Sequence, residues 1–181
     1  MNKSTSSPDQ NLSPDAPIQV PLGHGVYAII DAEDAPIVVQ HRWGKLKVGN
    51  KYYAVSWSHD ADRKTVNTLL HRLLMNPPEG MDVDHRNGDS LDCRRENMRI
   101  CTEQENVFNR PKRDGSKNPY IGVYRQIKSP NRWYAKIMND GKTIHLGGYD
   151  TPEDAARAYD AKARELRGEF AYLNFPDEEA A

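Results

Sequence analysis

The sequence predicts an α+β protein of two small modules. A strand-rich first module ends in a polar, ionisable stretch and a short helical run, and a three-stranded antiparallel sheet packed on one helix follows. Three observations carry this expectation. The apolar runs between residues 18 and 75 are short and alternate as strands do. Three strand-like runs, YIGVYRQI (120–127), RWYAKIM (132–138) and KTIHLGGY (142–149), precede a well-capped helical pattern. Finally, 181 residues with 37% hydrophobic and 28% charged content, and a mean hydropathy of -0.85, suit two small domains, which bury less of their surface than one large one.

Residues 1–17 (MNKSTSSPDQNLSPDAP) have the composition of a disordered tail. The first module is expected over 18–110, opening with IQVPLGHGVYAII as a strand. A short helix is expected over 31–43, with Pro36 near its first turn, where a missing N–H is harmless. KYYAVSW (51–57) and KTVNTLL (64–70) read as paired strands joined by the polar SHDADR turn. HRLLM (71–75) is a short apolar segment stopped by Asn76, Pro77 and Pro78. VDHRNGDSLDCRRENMR (83–99) is dense in ionisable groups around a turn at Asn87, Gly88 and Asp89. CTEQENVFNR (101–110) has helical character, with Thr102 and Glu105 spaced as a capping box.

PKRDGSKN (111–118) is a linker by composition, and residues 177–181 form an acidic tail. Between them lies the second module, 119–176. Asn139, Asp140 and Gly141 are a strong hairpin signal because glycine tolerates positive φ. The helix has Thr151 as N-cap, Pro152 at its first position, Asp154 closing a capping box and Gly168 as stop. Ala155, Ala156, Tyr159, Ala163 and Leu166 give it an apolar stripe. Alternation puts Val123, Trp133, Ala135, Ile137, Ile144 and Leu146 on the helix-facing side of the sheet. Tyr124, Tyr134, Lys136, Met138, Thr143 and His145 fall on the other side, joined near the turns by Arg125, Lys128 and Arg132.

The net charge of -1 conceals an uneven distribution. Between Arg110 and Gly148 nine basic residues stand against two acidic ones, the usual electrostatic footprint of nucleic-acid binding. Cys93 and Cys101 give no disulfide framework, no apolar run reaches membrane-spanning length, and the N-terminus lacks a signal-peptide core. A cytoplasmic protein with reduced thiols and no membrane partner is expected.

The chemistry concentrates in 83–99. Asp84 and His85 are adjacent, so on a strand they project to opposite faces unless twist or a bulge turns both toward one ion. A hairpin can bring Asn97 back beside them. Asp and Asn supply hard oxygen ligands, which suit one divalent ion such as magnesium or manganese. So few ligands leave coordination positions open for phosphate and water, as catalysis requires. An imidazole with an unperturbed pKa near ~6.5 can take a proton from water near neutral pH. Two other readings stay open on spacing alone: a solvated polar turn that contains a histidine, and a zinc site built from Cys93, Cys101, His71 and His85. No small-molecule cofactor is expected.

VDHRNGDSLD (83–92) followed by RRENMRICTEQEN (94–106), with HRLLM upstream, resembles the HNH endonuclease family in its phage and homing-type branch. The resemblance covers residues 20–110. It implies a ββα-metal fold in which Asp84 and Asn97 bind one divalent cation and His85 is the general base. The metal would polarise the scissile phosphate and stabilise the leaving 3′-oxygen. Cys93 stands where many members have an Asn that braces the loop. His71 falls where members often carry His, as a phosphate contact, a brace or a buried hydrogen-bonded histidine. Asn106 is a supporting candidate, either in the site or as a helix-packing contact. A bacterial or phage-infected cell is the expected setting.

The segment 120–176, above all LGGYDTPEDAARAYD and the ELRG and LNFP portions, resembles the APETALA2/ethylene-response DNA-binding domain. The resemblance implies a sheet laid into the major groove of double-stranded DNA. Ile121, Tyr124 and Thr143 stand where plant members carry guanine-reading arginines, and His145 replaces a tryptophan, so a different sequence preference is expected. Phosphate contacts would then supply most of the affinity. The expectation as a whole is a metal-dependent DNA endonuclease, monomer or weak dimer, positioned by its C-terminal sheet. The alternative is a non-catalytic DNA-binding regulator with a degenerate nuclease domain.

Overall fold

Short strands joined by tight turns build the first hundred residues of the computed structural model, which describes residues 16–110, 118–126 and 128–178. The expected N-terminal tail and the 111–118 linker fall almost wholly outside the described residues, as does most of the acidic end. The run expected as one opening strand is instead a hairpin of β1 (Ile18–Pro21) and β2 (Tyr27–Ile30), with Ile18 opposite Ile30. Gly23, His24 and Gly25 all have positive φ and fold the chain back.

A 3-10 turn and a one-turn helix, α1 (Ala35–Val38), follow, with Pro36 in the first turn as its missing N–H requires. Trp43 Nε1 closes this corner by donating to Val38 O at 2.8 Å. β3 (Trp43–Val48), β4 (Lys51–His59) and β5 (Thr65–Leu69) form an antiparallel sheet in that order. α2 (Leu70–Met75) stops at Asn76, which takes a left-handed conformation directly before Pro77. β6 (Asp82–His85) and β7 (Met98–Cys101) then pair as a two-stranded sheet, with a 3-10 turn over Arg95–Asn97 between them. Val20, Ala28, Ile30, Ala54, Leu70, Leu74, Val83 and Met98 form one core. Val83 thus anchors β6 just ahead of Asp84 and His85.

The chain divides into two compact units, one ending at Ile100 and one starting at Cys101. The division falls one helix earlier than the boundary expected from the sequence. α3 (Glu103–Phe108) carries the expected capping box between Thr102 and Glu105. It belongs to the second unit, where Gln104 Nε2 donates to Asp140 Oδ1 at 3.0 Å and the Arg167 guanidinium lies 4.3 Å over the Phe108 ring.

In that unit β8 (Val123–Gln126), β9 (Ser129–Asn139) and β10 (Lys142–Tyr149) form an antiparallel sheet with β9 central. Asp140 and Gly141 both adopt positive φ in the β9–β10 turn. α4 (Pro152–Arg167) starts at Thr151, whose hydroxyl accepts from the Asp154 N–H. Ala155 and Ala156 share a cluster with Val123 and Ala135, and Tyr159 and Ala163 share one with Ile137. The small alanines let the helix lie close to the sheet. Buried Asp160 ties in the C-terminal segment, accepting from the backbone N–H groups of Asn174 and Phe175 at 2.9 and 2.8 Å. The Asn174 side chain in turn pairs with both the N–H and the carbonyl of Ile121.

Gly122 is the tightest point of this unit. Its φ is +73°, and a Cβ there would lie 2.0 Å from the Tyr159 ring and 2.7 Å from the Lys136 carbonyl. Gly122→Ala is therefore expected to destabilise the second unit by about 2 kcal/mol or more, from overpacking and backbone strain together. Thermal unfolding followed by the tyrosine and tryptophan signal measures it, and an unchanged transition contradicts the close packing. No helix among the described residues is long and apolar enough to cross a membrane.

Candidate active site and nucleic-acid interface

β6 delivers Asp84 and His85 side by side, both buried, and the strand's alternation sends them to different neighbours. Asp84 Oδ2 accepts from Arg99 Nε at 2.9 Å and Nη2 at 2.7 Å, from the paired strand β7. Both partners of this ion pair are buried, 7% and 6% exposed at the side chain, so the two charges offset one another away from water. His85 instead meets His71 edge to face, at 5.3 Å between ring centroids, and its Nε2 lies 4.0 Å from Cys93 Sγ.

Burial holds His85 below the ordinary histidine range, with the Asp84 charge pulling the other way. The ring is thus kept neutral near pH 7, as a proton acceptor must be. His71, from the start of α2, sits between Tyr53 and His85, and burial, with His85 and Arg72 adding, pushes it down to about 3. Its Nδ1 is buried with no hydrogen-bond partner among the described residues. Because the folded value lies below the unfolded one, this histidine's contribution to stability is complete above about pH 6.5 and is lost as the pH falls toward 3.

The loop from Asn87 to Cys93 is held from several sides. Cys93 N–H donates to Ile29 O, and Ile29 N–H donates to Leu91 O, both at 2.8 Å. Ser90 Oγ donates to Tyr52 O at 2.6 Å, and Arg94 grips Asp92 at 2.8 and 2.7 Å. Asn97 works from inside the loop: its Oδ1 accepts from Asn87 N–H at 3.0 Å, and its Nδ2 donates to Asp92 O at 2.8 Å. The sequence pointed to Asn97 as a metal ligand and located the brace at position 93. Here both ends of the Asn97 amide brace the loop, and Cys93 contributes its backbone and a sulfur against His85. Cys93 and Cys101 are both buried. Among the described residues no group of three or more His, Cys, Asp or Glu is arranged to hold a metal ion, so the four-residue zinc arrangement is not formed. Asn106 lies on α3, its N–H donating to Thr102 O at 3.0 Å within the helix. Arg99, Asp92 and Arg94 were not singled out from the sequence; their spacing from Asp84 and Asn97 gives no local signal.

On the second unit's sheet, the face away from α4 carries a cluster of rings and cations. Tyr124 and Tyr134 lie 5.8 Å apart, Lys136 Nζ sits 4.9 Å over the Tyr124 ring, and Tyr124 Oη contacts His145 Nδ1 at 3.2 Å. Arg125 stacks on Trp133 at 4.0 Å, and Arg132 donates to Gly148 O at 3.1 Å. Lys128 and Thr143 are exposed. Aromatic rings paired with cations on an open sheet are the usual equipment for contacting nucleic acid.

A family model described as HNH endonuclease matches residues 74–108, the stretch running from the end of α2 through α3. An uncharacterized HNH endonuclease of Acanthamoeba polyphaga mimivirus is 31% identical over 154 residues, covering 84% of this chain and 76% of that protein. An ethylene-responsive transcription factor of Arabidopsis thaliana is 43% identical over 68 residues, 36% of this chain and 37% of its own length. An APETALA2-like protein of Oryza sativa subsp. indica is 40% identical over 65 residues, 36% of this chain and 14% of its own. The chain thus spans well under half of either of these two plant proteins.

Proposed function

Because the chain belongs to the HNH endonuclease family, we propose that it hydrolyses phosphodiester bonds in double-stranded DNA, with His85 as general base and the C-terminal sheet holding the duplex. The observation that carries this reading is the buried Asp84–His85 pair on β6, backed by a loop tied down at Asn97, Asp92 and Cys93. A neutral imidazole fixed in a dry setting can accept the proton of an attacking water without competing for one from solvent.

The donor chemistry fits one hard divalent ion, magnesium or manganese. Asp84 supplies a buried carboxylate, and DNA phosphate and water would complete the shell. Bound there, the ion would polarise the scissile phosphate and stabilise charge on the leaving 3′-oxygen. Asp84 and Asn97 would hold it, Arg99 would fix the carboxylate, and Asn97 would also keep the loop in shape. On the sheet, Tyr124, Tyr134, Lys136, Thr143 and His145 would face the groove, with Arg125, Lys128 and Arg132 reaching phosphates.

Incubation with supercoiled plasmid, with and without magnesium or manganese, tests the reading directly. Metal-dependent nicking supports it; tight DNA binding with no cleavage under either metal would leave a regulator in its place. Comparing the magnesium needed for half-maximal cleavage in Asp84→Asn, Asn97→Ala and Asn106→Ala separates ligand from brace. Loss of a ligand raises that concentration, whereas loss of a brace lowers the unfolding temperature instead. The His85 environment adds a pH expectation. Since burial depresses its proton affinity, the acid limb of the cleavage rate should lie below the ordinary histidine value. A limb at or above about 6.5 would contradict it.

A further inference from the structure

We infer that Cys93 is a positioning residue: its sulfur accepts a hydrogen bond from His85 Nε2–H and thereby fixes the imidazole in the tautomer whose lone pair is on Nδ1. Proton counting leads there. Cys93 Sγ lies 3.9 Å from Ser90 O and 4.0 Å from His85 Nε2. A carbonyl oxygen can only accept, and a thiol has one hydrogen to give. If the one thiol hydrogen goes to Ser90 O, the sulfur turns a lone pair to the imidazole and Nε2 carries the hydrogen.

The surroundings keep this arrangement rigid. Cys93 is fully buried, its N–H is tied to Ile29 O, and Ser90 is tied to Tyr52 O, so the backbone that carries the sulfur and the carbonyl is held at both residues. Burial pushes the thiol up to about 12, so it keeps its hydrogen across the neutral range. From the other side His71 meets the His85 ring nearly at right angles, 78° between planes, and limits rotation of the ring. The contact is weak as hydrogen bonds go, because sulfur is a soft acceptor. It need only separate two tautomers of one ring. A thiol can therefore orient the proposed base.

The consequence for catalysis rests on the proposed role of His85, but the tautomer is measurable without cleavage. In the full-length chain labelled with 15N-histidine, long-range 1H–15N spectra report which ring nitrogen carries hydrogen, and His85→Ala identifies the His85 signals. The expected wild-type pattern is Nε2–H. Cys93→Ala should give a mixture of tautomers and lower kcat for plasmid cleavage at least fivefold with KM unchanged. Cys93→Ser, which retains one donor and an acceptor, should restore both the tautomer and most of the rate. A wild-type Nδ1–H pattern, or a pattern in Cys93→Ala identical to wild type, overturns the inference. If Cys93→Ala does not fold, Cys93→Ser and wild type still decide it, because an Nδ1–H pattern in either contradicts the proton count. The expected tautomers in a protein that cuts no DNA would leave the inference standing and remove the nuclease reading.

Discussion

His85→Ala is expected to lower cleavage of supercoiled DNA by about a hundred- to ten-thousand-fold, the range that loss of a general base commonly produces. DNA affinity should change little, because the cations and rings assigned to the duplex lie on the second unit's sheet. The substitution removes a ring that is 6% exposed and packs on His71 and Cys93, so some loss of stability accompanies it. Gel-shift titration beside the plasmid assay separates the two effects. Parallel loss of binding and cutting would mark His85 as a structural residue of its unit, and retained cutting would remove it from the reaction.

Arg99→Met is expected to be the most damaging single change to the first unit. It leaves Asp84 buried without its guanidinium, a situation that costs about 3–5 kcal/mol when one partner of a buried pair is removed. Denaturant unfolding of the full chain measures this. The double variant Asp84→Asn with Arg99→Met should recover part of the stability and none of the cleavage. A single variant as stable as wild type would mean that the pair makes no net contribution to the fold. In the proposed reading the same carboxylate would hold the metal, so this pair would bear on cleavage as well as on the fold.

The second unit was the more legible part of the chain. Local chemistry writes its turns: Asn139, Asp140 and Gly141 can hardly do anything but reverse, and Thr151, Pro152 and Asp154 leave one place for α4 to start. LNFP also stands out in the sequence, and the hydrogen bonds of Asn174 to Asp160 and Ile121 give a physical reason for it. In the first unit, Gly23 and Gly25 hide a hairpin inside an apolar run, and β3 mixes lysines with apolar residues too briefly to announce itself. The candidate site was legible as residue types, while its hydrogen bonds were not. An asparagine amide offers the same oxygen to a metal as to a backbone N–H, and only the fold shows that Asn97 also ties Asn87 to Asp92. The Asp84–Arg99 pair and the contact of His71 with His85 join positions far apart in the chain, where periodicity carries no information.

Placement of α3 bears on anyone who wishes to transplant the second unit onto another protein. The polar stretch after residue 110 looks like the natural seam, yet Gln104 and Phe108 are fastened to Asp140 and Arg167. Cutting at the seam would strip an aromatic lid from a cationic side chain and expose the tip of the β9–β10 hairpin. A transferable cassette should begin at Cys101, and a fragment of residues 101–181 is expected to melt several degrees above one of residues 118–181. Equal melting points would show that α3 is merely resting there.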